Sequence, residues 1–447
     1  MQSSELLDAA QALIQHARRC GADAADASGH SGASHGVTVR LGTLEDIDRS
    51  ESAEVGLRAF VGQRSASVST SDFSPAGLAE LAERDVAMAR HAPEDPFAAL
   101  VPPEMLARGP FPDLGTADPC EPSPEELRDR AAEAEDVARA VGGVTNSEGG
   151  SASVSRSRSA LVTSTGFAGA FEGTSHSLSV SVIAGEGEAM QRDYAVRSAR
   201  FREDLPPPAD VGALAGSRAV ARLNPSVPMS GAMPVVFDPR TSSSLIGHLL
   251  GAMAAPSIAR RASFLIGRED EVLFPARIAI VEDPLRMRGL RSRPFDGEGV
   301  ACTPRAIVEH GRLGGWLTNA ASAAQLGLPL TGHASRGAGG APGVAPSNVD
   351  LLPGEESVEE LIADIREGVL VDYLIGQGVN PVTGDYSRGA AGRRIVDGRI
   401  AGPVAGFTIA GNLIDMFAGL RAANDLETWR SINAPTLRVD GMTVAAA

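Results

Sequence analysis

The segment 238-DPRTSSSLIGHLLGAMAA-255 is the one around which the rest of the chain can be ordered. Asp238 is a capping residue, and Pro239 suits the first helical position, where its fixed φ fits and its missing N–H had no partner in any case. Leu245, Leu249 and Ala252 then recur at helical spacing, which predicts a helix buried along that face. The run GAMPVVFD (231–238) reads as a short strand leading directly into it. A zinc hydrolase sets two histidines a turn apart on such a helix, with a glutamate between them to move protons. This segment carries a single histidine, His248.

Working outward, the run Leu205-Pro206-Pro207-Pro208 breaks the pattern and divides the chain into an N-terminal domain, 1–205, and a C-terminal domain, 206–447. In the first, Leu6, Leu7, Ala10, Leu13, Ile14 and Ala17 mark a helix that Gly21 stops. Residues 36–70 alternate polar with apolar and read as strands, with a turn at Gly62-Gln63. Ser74-Pro75 opens a second helix ending near His91, and prolines crowd a connector at 93–124. Ser123-Pro124 starts a third helix, running to Val141. Beyond it, small residues and valines alternate in an antiparallel meander, where His176 reads as a solvated strand position.

In the second domain, a helix at 210–223 and the segment 238–255 are followed mostly by short strands. These include ARIAIVED (276–283), a hairpin turning at Gly311-Arg312, and VLVDYLIG (369–376) and RRIVDGRI (393–400). A helix at 357–368 begins with a capping box, Ser357 and Glu360, and Asn412 leads into a last helix. The expected class is therefore α+β: N-terminal helices on an antiparallel sheet, then a β-rich domain with a central helix.

Composition excludes several functions. A net charge of −16 opposes binding to nucleic acid, which needs clustered Lys and Arg. Cys20, Cys120 and Cys302 are far apart and form no CxxC pair, a pattern suited to a reducing, cytoplasmic setting. The opening MQSSELLDAAQALIQHARRCG holds acids and no unbroken apolar run, so it reads as neither a signal peptide nor a membrane span. Gly337, Gly339 and Gly340 lack the Lys-Ser/Thr of a phosphate cradle, and there is no GxSxG elbow. His310 reads as a solvated hairpin tip and His333, in TGHASR, as a hydrogen-bonded loop histidine.

Three segments carry a family resemblance: DGEG (296–299) with the T-x-R-x-I-V-E-H-G-R-L pattern after it, LTGHASR (330–336), and GQGVNPVTGDYSRGAAGRRIVDGRIAGPV (376–404) followed by FTIAGN. Together they resemble the TldD/PmbA family, in its PmbA (TldE) branch, over nearly the whole chain. The resemblance implies a two-domain α+β architecture and a place in a heterodimeric zinc metallopeptidase. In that family the TldD subunit carries an HExxxH helix, and a cysteine near the C-terminus is implied as a further ligand. Carried over to this sequence, Gly247 stands at the first histidine, His248 at the glutamate and Ala252 at the second histidine. An imidazole one residue along points about a quarter turn away, and no cysteine follows Cys302.

The resulting expectation is a non-catalytic subunit with no metal of its own, the zinc being held by a TldD-like partner. Unfolded or extended peptides, such as modified-peptide precursors or antitoxin-like proteins, are the expected substrates of the pair. Gly-rich edges near 332–343 and 376–392 are expected to add such a peptide as a strand. Asn380, Thr383, Gly384 and Asp385 are expected to form a tight turn, Arg388 to hold a carboxylate of that loop or of a peptide terminus, and His333 to join this contact set. Two rivals stand beside this reading: an independent metallopeptidase using His248 and His333 with a carboxylate, and a modulator protein with no proteolytic role. A homodimer of this chain is a further arrangement.

Overall fold

The computed structural model describes residues 1–446. Six antiparallel strands, β1 (Ala24–Arg40), β2 (Thr43–Val61), β3 (Arg64–Thr70), β4 (Val144–Thr163), β5 (Ala168–Ala184) and β6 (Gln191–Ala199), form one sheet in the order β3-β2-β1-β4-β5-β6. Four helices cover it: α1 (Ser3–Arg19), α2 (Pro75–His91), α3 (Pro124–Ala140) and α4 (Pro208–Ala221). The Ser74 and Ser123 side chains cap α2 and α3, as their Ser-Pro starts predict. Helices α1 and α2 bury Leu13, Ile14, Leu78 and Leu81 against Val55 and Leu57.

Helix α4 corrects the domain boundary. It buries Val211, Ala215 and Ala219 in the cluster of Leu127, Ala131, Val180 and Val182, so it completes the N-terminal layer rather than opening the next domain. Gly212 and Gly216 permit this, because a Cβ at either would lie under 3 Å from α3 atoms or Val141. The break falls after α4, not at the proline run.

The C-terminal half is built on a ring of strands. β7 (Gly231–Phe237), β8 (Glu367–Ile375), β9 (Asp385–Val396), β10 (Arg399–Asn412) and β11 (Leu437–Ala446) run in the order β10-β9-β8-β7-β11, and β10 also pairs with β11, closing the ring. β8 is parallel to β7, and the other pairs in the ring are antiparallel. Alternation along β7 and β8 sends Val235, Phe237, Val369 and Val371 into the main core and Val236 and Leu370 into a smaller cluster with Ile362 and Ile395. The helix α5 (Pro239–Ala252) follows β7 at once and fills the main core with Leu245, Ile246, Leu249 and Leu250. A second small sheet includes Ile280–Glu282, Arg305–Glu309 and Val349–Leu351. The 305–313 hairpin turns at His310-Gly311, one residue earlier than expected.

Two Gly-rich segments behave differently from expectation. The loop 336–339 lies flat on the N-terminal sheet: a Cβ on Gly56 of β2 would fall 1.7 Å from the Ala338 carbonyl oxygen. Its stem Ala334–Ser335 pairs with Gly343–Val344. Within 376–392, β9 is an inner strand paired on both sides. β9 is therefore no free edge for an incoming strand, and the first segment is held against the N-terminal sheet.

Candidate functional site

Helix α5 starts as its sequence dictates, with the Asp238 carboxylate accepting the Arg240 N–H at 2.9 Å and Pro239 at the first position. Its apolar face is consumed by the core. The opposite face is opened by glycine: an added Cβ at Gly247 or at Gly251 would meet nothing within 4 Å. Ala252 is on the buried side, where its carbonyl accepts the Ser263 hydroxyl at 2.7 Å.

His248 projects between these faces toward β9. Tyr386 and Arg388 alternate onto one side of that strand, and the Tyr386 ring meets the imidazole edge-on, 6.2 Å between centroids and 76° between planes. His248 Nε2, the Tyr386 hydroxyl and Arg388 Nε are each buried without a hydrogen-bond partner. Burial, and then the charge of Arg388, holds the imidazole below its ordinary pKa. Burial pushes the Tyr386 phenol up to about 12. Donors from Arg388 and Tyr386 around a neutral imidazole suit a carbonyl or carboxylate oxygen and oppose a cation. Arg388 bonds to no carboxylate of the 380–385 turn, the first of the two roles expected for it. Tyr386 was legible in the sequence only as the alternate position to Arg388 in GDYSR.

The donor set does not fit zinc, which takes thiolate, imidazole or carboxylate ligands, three or four together. Gly247 and Ala252 supply none, and the guanidinium of Arg388 neighbours the one imidazole. The buried Cys302 thiol, pushed up to about 12 by burial, instead bonds the Gly332 carbonyl at 3.2 Å. Among the described residues, no three His, Cys, Asp or Glu side chains come together as a metal site.

His333 belongs to a different network. It is only 3% exposed, its Nε2 hydrogen-bonds Glu282 at 2.6 Å, and its Nδ1 hydrogen-bonds the Thr331 hydroxyl at 2.8 Å. Burial opposes charge on Glu282, but the bonds from His333 and Ser347 outweigh it and hold the carboxyl below its usual range. With both ring nitrogens engaged, His333 has none left for a metal shared with His248, and it does not lie on the surface. The 380–385 turn does reach the surface, and its polar groups serve it first. Asn380 Oδ1 accepts from Val382 at 2.9 Å, the Thr383 hydroxyl donates to Asp385 at 2.6 Å, and Asn412 Nδ2 donates to the Thr383 carbonyl at 3.0 Å. Gly384 carries φ +80°, which favours glycine. His176, expected in solvent, is 2% exposed with Nε2 3.1 Å from Asp118.

Against known proteins, three successive family domains match: PmbA/TldA metallopeptidase domain 1 over 25–89, the central domain over 117–223 and the C-terminal domain over 230–446. Their joint at 223–230 coincides with the break after α4. The chain is 36% identical to Metalloprotease PmbA of Escherichia coli O157:H7 over 92% of this chain and 89% of that protein. It is 32% identical to a Metalloprotease PmbA homolog of Haemophilus influenzae over 99% and 97%. Among solved structures, a Bacteroides thetaiotaomicron protein named for a modulator of DNA gyrase superposes with TM-score 0.90 at 25% identity, covering 98% of both chains. TldE from Thermococcus kodakarensis superposes with TM-score 0.86 at 21% identity, over 98% and 100%, a likeness of fold.

Proposed function

The chain belongs to the PmbA/TldD metallopeptidase family, and from that premise we propose that it is the non-catalytic, PmbA/TldE-like subunit of a two-chain peptidase. One observation supports the reading: where the resemblance sets the two histidine ligands on α5 stand Gly247 and Ala252, neither with a donor side chain, and His248 stands at the glutamate position. On this reading a TldD-like partner chain would hold the zinc and the proton-transfer groups, and the zinc would supply Lewis-acid chemistry for peptide hydrolysis. This chain supplies the glycine-opened face of α5 at Gly247 and Gly251, with the half-buried Arg388 nearby, against which the backbone or terminus of an unfolded or extended peptide is held. The pair works in the cytoplasm, where Cys20, Cys120 and Cys302, all free thiols, remain reduced.

A second reading, an independently active metallopeptidase, is favoured by the names of the curated relatives. The test is a peptidase assay on an unstructured polypeptide with this chain alone, a TldD-like chain alone, and both together, with zinc measured in each after dialysis. Activity greater in the mixture than in the sum of the separate chains, with the metal in the partner, is expected. Activity and stoichiometric zinc in this chain alone would overturn the proposal.

A further inference from the structure

A cavity of 390 Å³ lies where the N-terminus of α5 meets β6, α4 and the segment around Trp429, at the other end of the helix from Ala252. Five arginines line it: Arg197, Arg218, Arg240, Arg393 and Arg430. Arg240 is paired, donating to Asp193 at 2.6 Å. The other four form no ion pair among the described residues. Arg197 and Arg430 lie over the Trp429 ring at 4.2 and 4.3 Å, Arg218 reaches only the Tyr194 carbonyl at 3.4 Å, and Arg393 Nε is buried without a partner. The wall also holds four acids. Asp238 caps α5 and Asp425 accepts from Thr436, while Glu359 and Glu427 are exposed. Burial first, and then neighbouring guanidinium charge at Arg218 and Arg430, depresses the pKa of Arg197, Arg218 and Arg430.

We propose that this cavity binds a small organic anion, with a carboxylate or phosphate head held by the arginines and an apolar or aromatic body against Trp429, Leu214 and Leu370. Planar guanidiniums match such heads by forked hydrogen bonds. The inference concerns a site separate from His248 and stands whether or not the chain pairs with a catalytic subunit.

The test is thermal unfolding and calorimetry of the full chain with three probes: inorganic phosphate, an acetylated tripeptide ending in phenylalanine with a free carboxylate, and the same tripeptide amidated. Stabilisation by phosphate or by the free acid, weakened by salt and absent with the amide, is expected, and which of the two binds identifies the head. Arg218→Gln and Arg393→Gln should each weaken binding about tenfold or more, and Arg218→Gln should also raise the melting temperature of the ligand-free protein, because Arg240 and Arg197 beside it are like charges. No response to either anion, an equal response to the amide, unchanged binding in both variants, or lower ligand-free stability in Arg218→Gln would each overturn the proposal.

Discussion

At His248 the chain places an imidazole where burial and the Arg388 charge both resist protonation. Replacing Arg388 by alanine should raise the His248 pKa toward the ordinary value of about 6.5, read by NMR titration of the ring; an unchanged pKa would remove Arg388 from the site. Because the folded pKa lies below the unfolded one, the stability linked to His248 is present above about pH 6.5 and lost as the pH falls through the folded value. Asp85 works in the opposite sense. It is fully buried on α2, neither carboxylate oxygen has a partner, and burial pushes its pKa up to about 8. Stability linked to it is therefore greatest below the unfolded carboxylate pKa of about 3.9 and declines as the pH rises to about 8. Asp85→Asn should raise the melting temperature more at pH 9 than at pH 5, and equal shifts at both pH values would show that the carboxyl is not buried as charge. At this scale the sequence showed which donors α5 lacks, but not Tyr386, His176 or the Glu282–His333 bond, whose partners lie far along the chain.

At the scale of elements, the sequence is legible where its signals act over three or four residues. The Ser357/Glu360 capping box forms as expected, yet its helix spans only Val358–Ile362. Arg438 then takes the Leu361 carbonyl at 2.7 Å and pairs with Asp364, diverting the chain toward β8. The start of β2 poses an edge problem. Thr43–Glu54 pairs with β1 on one side, while β3 pairs only with Val55–Val61, leaving the earlier stretch open. Leu44 and Ile47 are exposed there, 46% and 56%, among Glu45, Asp46, Asp48 and Glu51. The surplus of acids over Arg49, which pairs with Glu51, keeps such an edge from pairing with another copy. Neutralising Asp46 and Asp48 to asparagine should promote concentration-dependent association by light scattering, and a chain that stays dispersed would mean the edge is guarded otherwise.

Across the whole molecule, the two halves are joined by buried charge. Asp26 of β1 faces Arg58 of β2, and both reach the C-terminal half: Arg336 pairs with Asp26, and Glu298 lies 3.4 Å from Arg58. Burial opposes ionisation of Asp26, but its two arginines hold its carboxyl below the usual range. Burial outweighs Arg58 at Glu298 and lifts its pKa to about 7. DGEG and TGHASR serve this joint, since the Asp296 carboxylate accepts the Ala334 N–H at 2.9 Å. Asp26→Ala would leave the buried Arg336 without a carboxylate and Arg58 with Glu298 alone, and should cost about 3–5 kcal/mol in urea unfolding. Arg336→Ala should separate the unfolding of the two halves in calorimetry. A loss below about 1 kcal/mol for Asp26→Ala, the range of a surface pair, would place the network in solvent.

The sequence by itself determined the α+β class, the main helices and hairpins, the run of motifs typical of the family, and the missing ligands on α5. These are properties of composition and of spacing within a few residues, which caps, turns and periods of 2 and 3.6 express locally. Tertiary structure alone decided that α4 closes the N-terminal layer, that β9 is an inner strand of a ring, and that His333 is spent on Glu282. It also decided that Asp26 meets Arg336, 310 residues away, and that five arginines from separate segments share one cavity. Strand order and side-chain meetings over such separations follow from packing the layers together, and no local period encodes them.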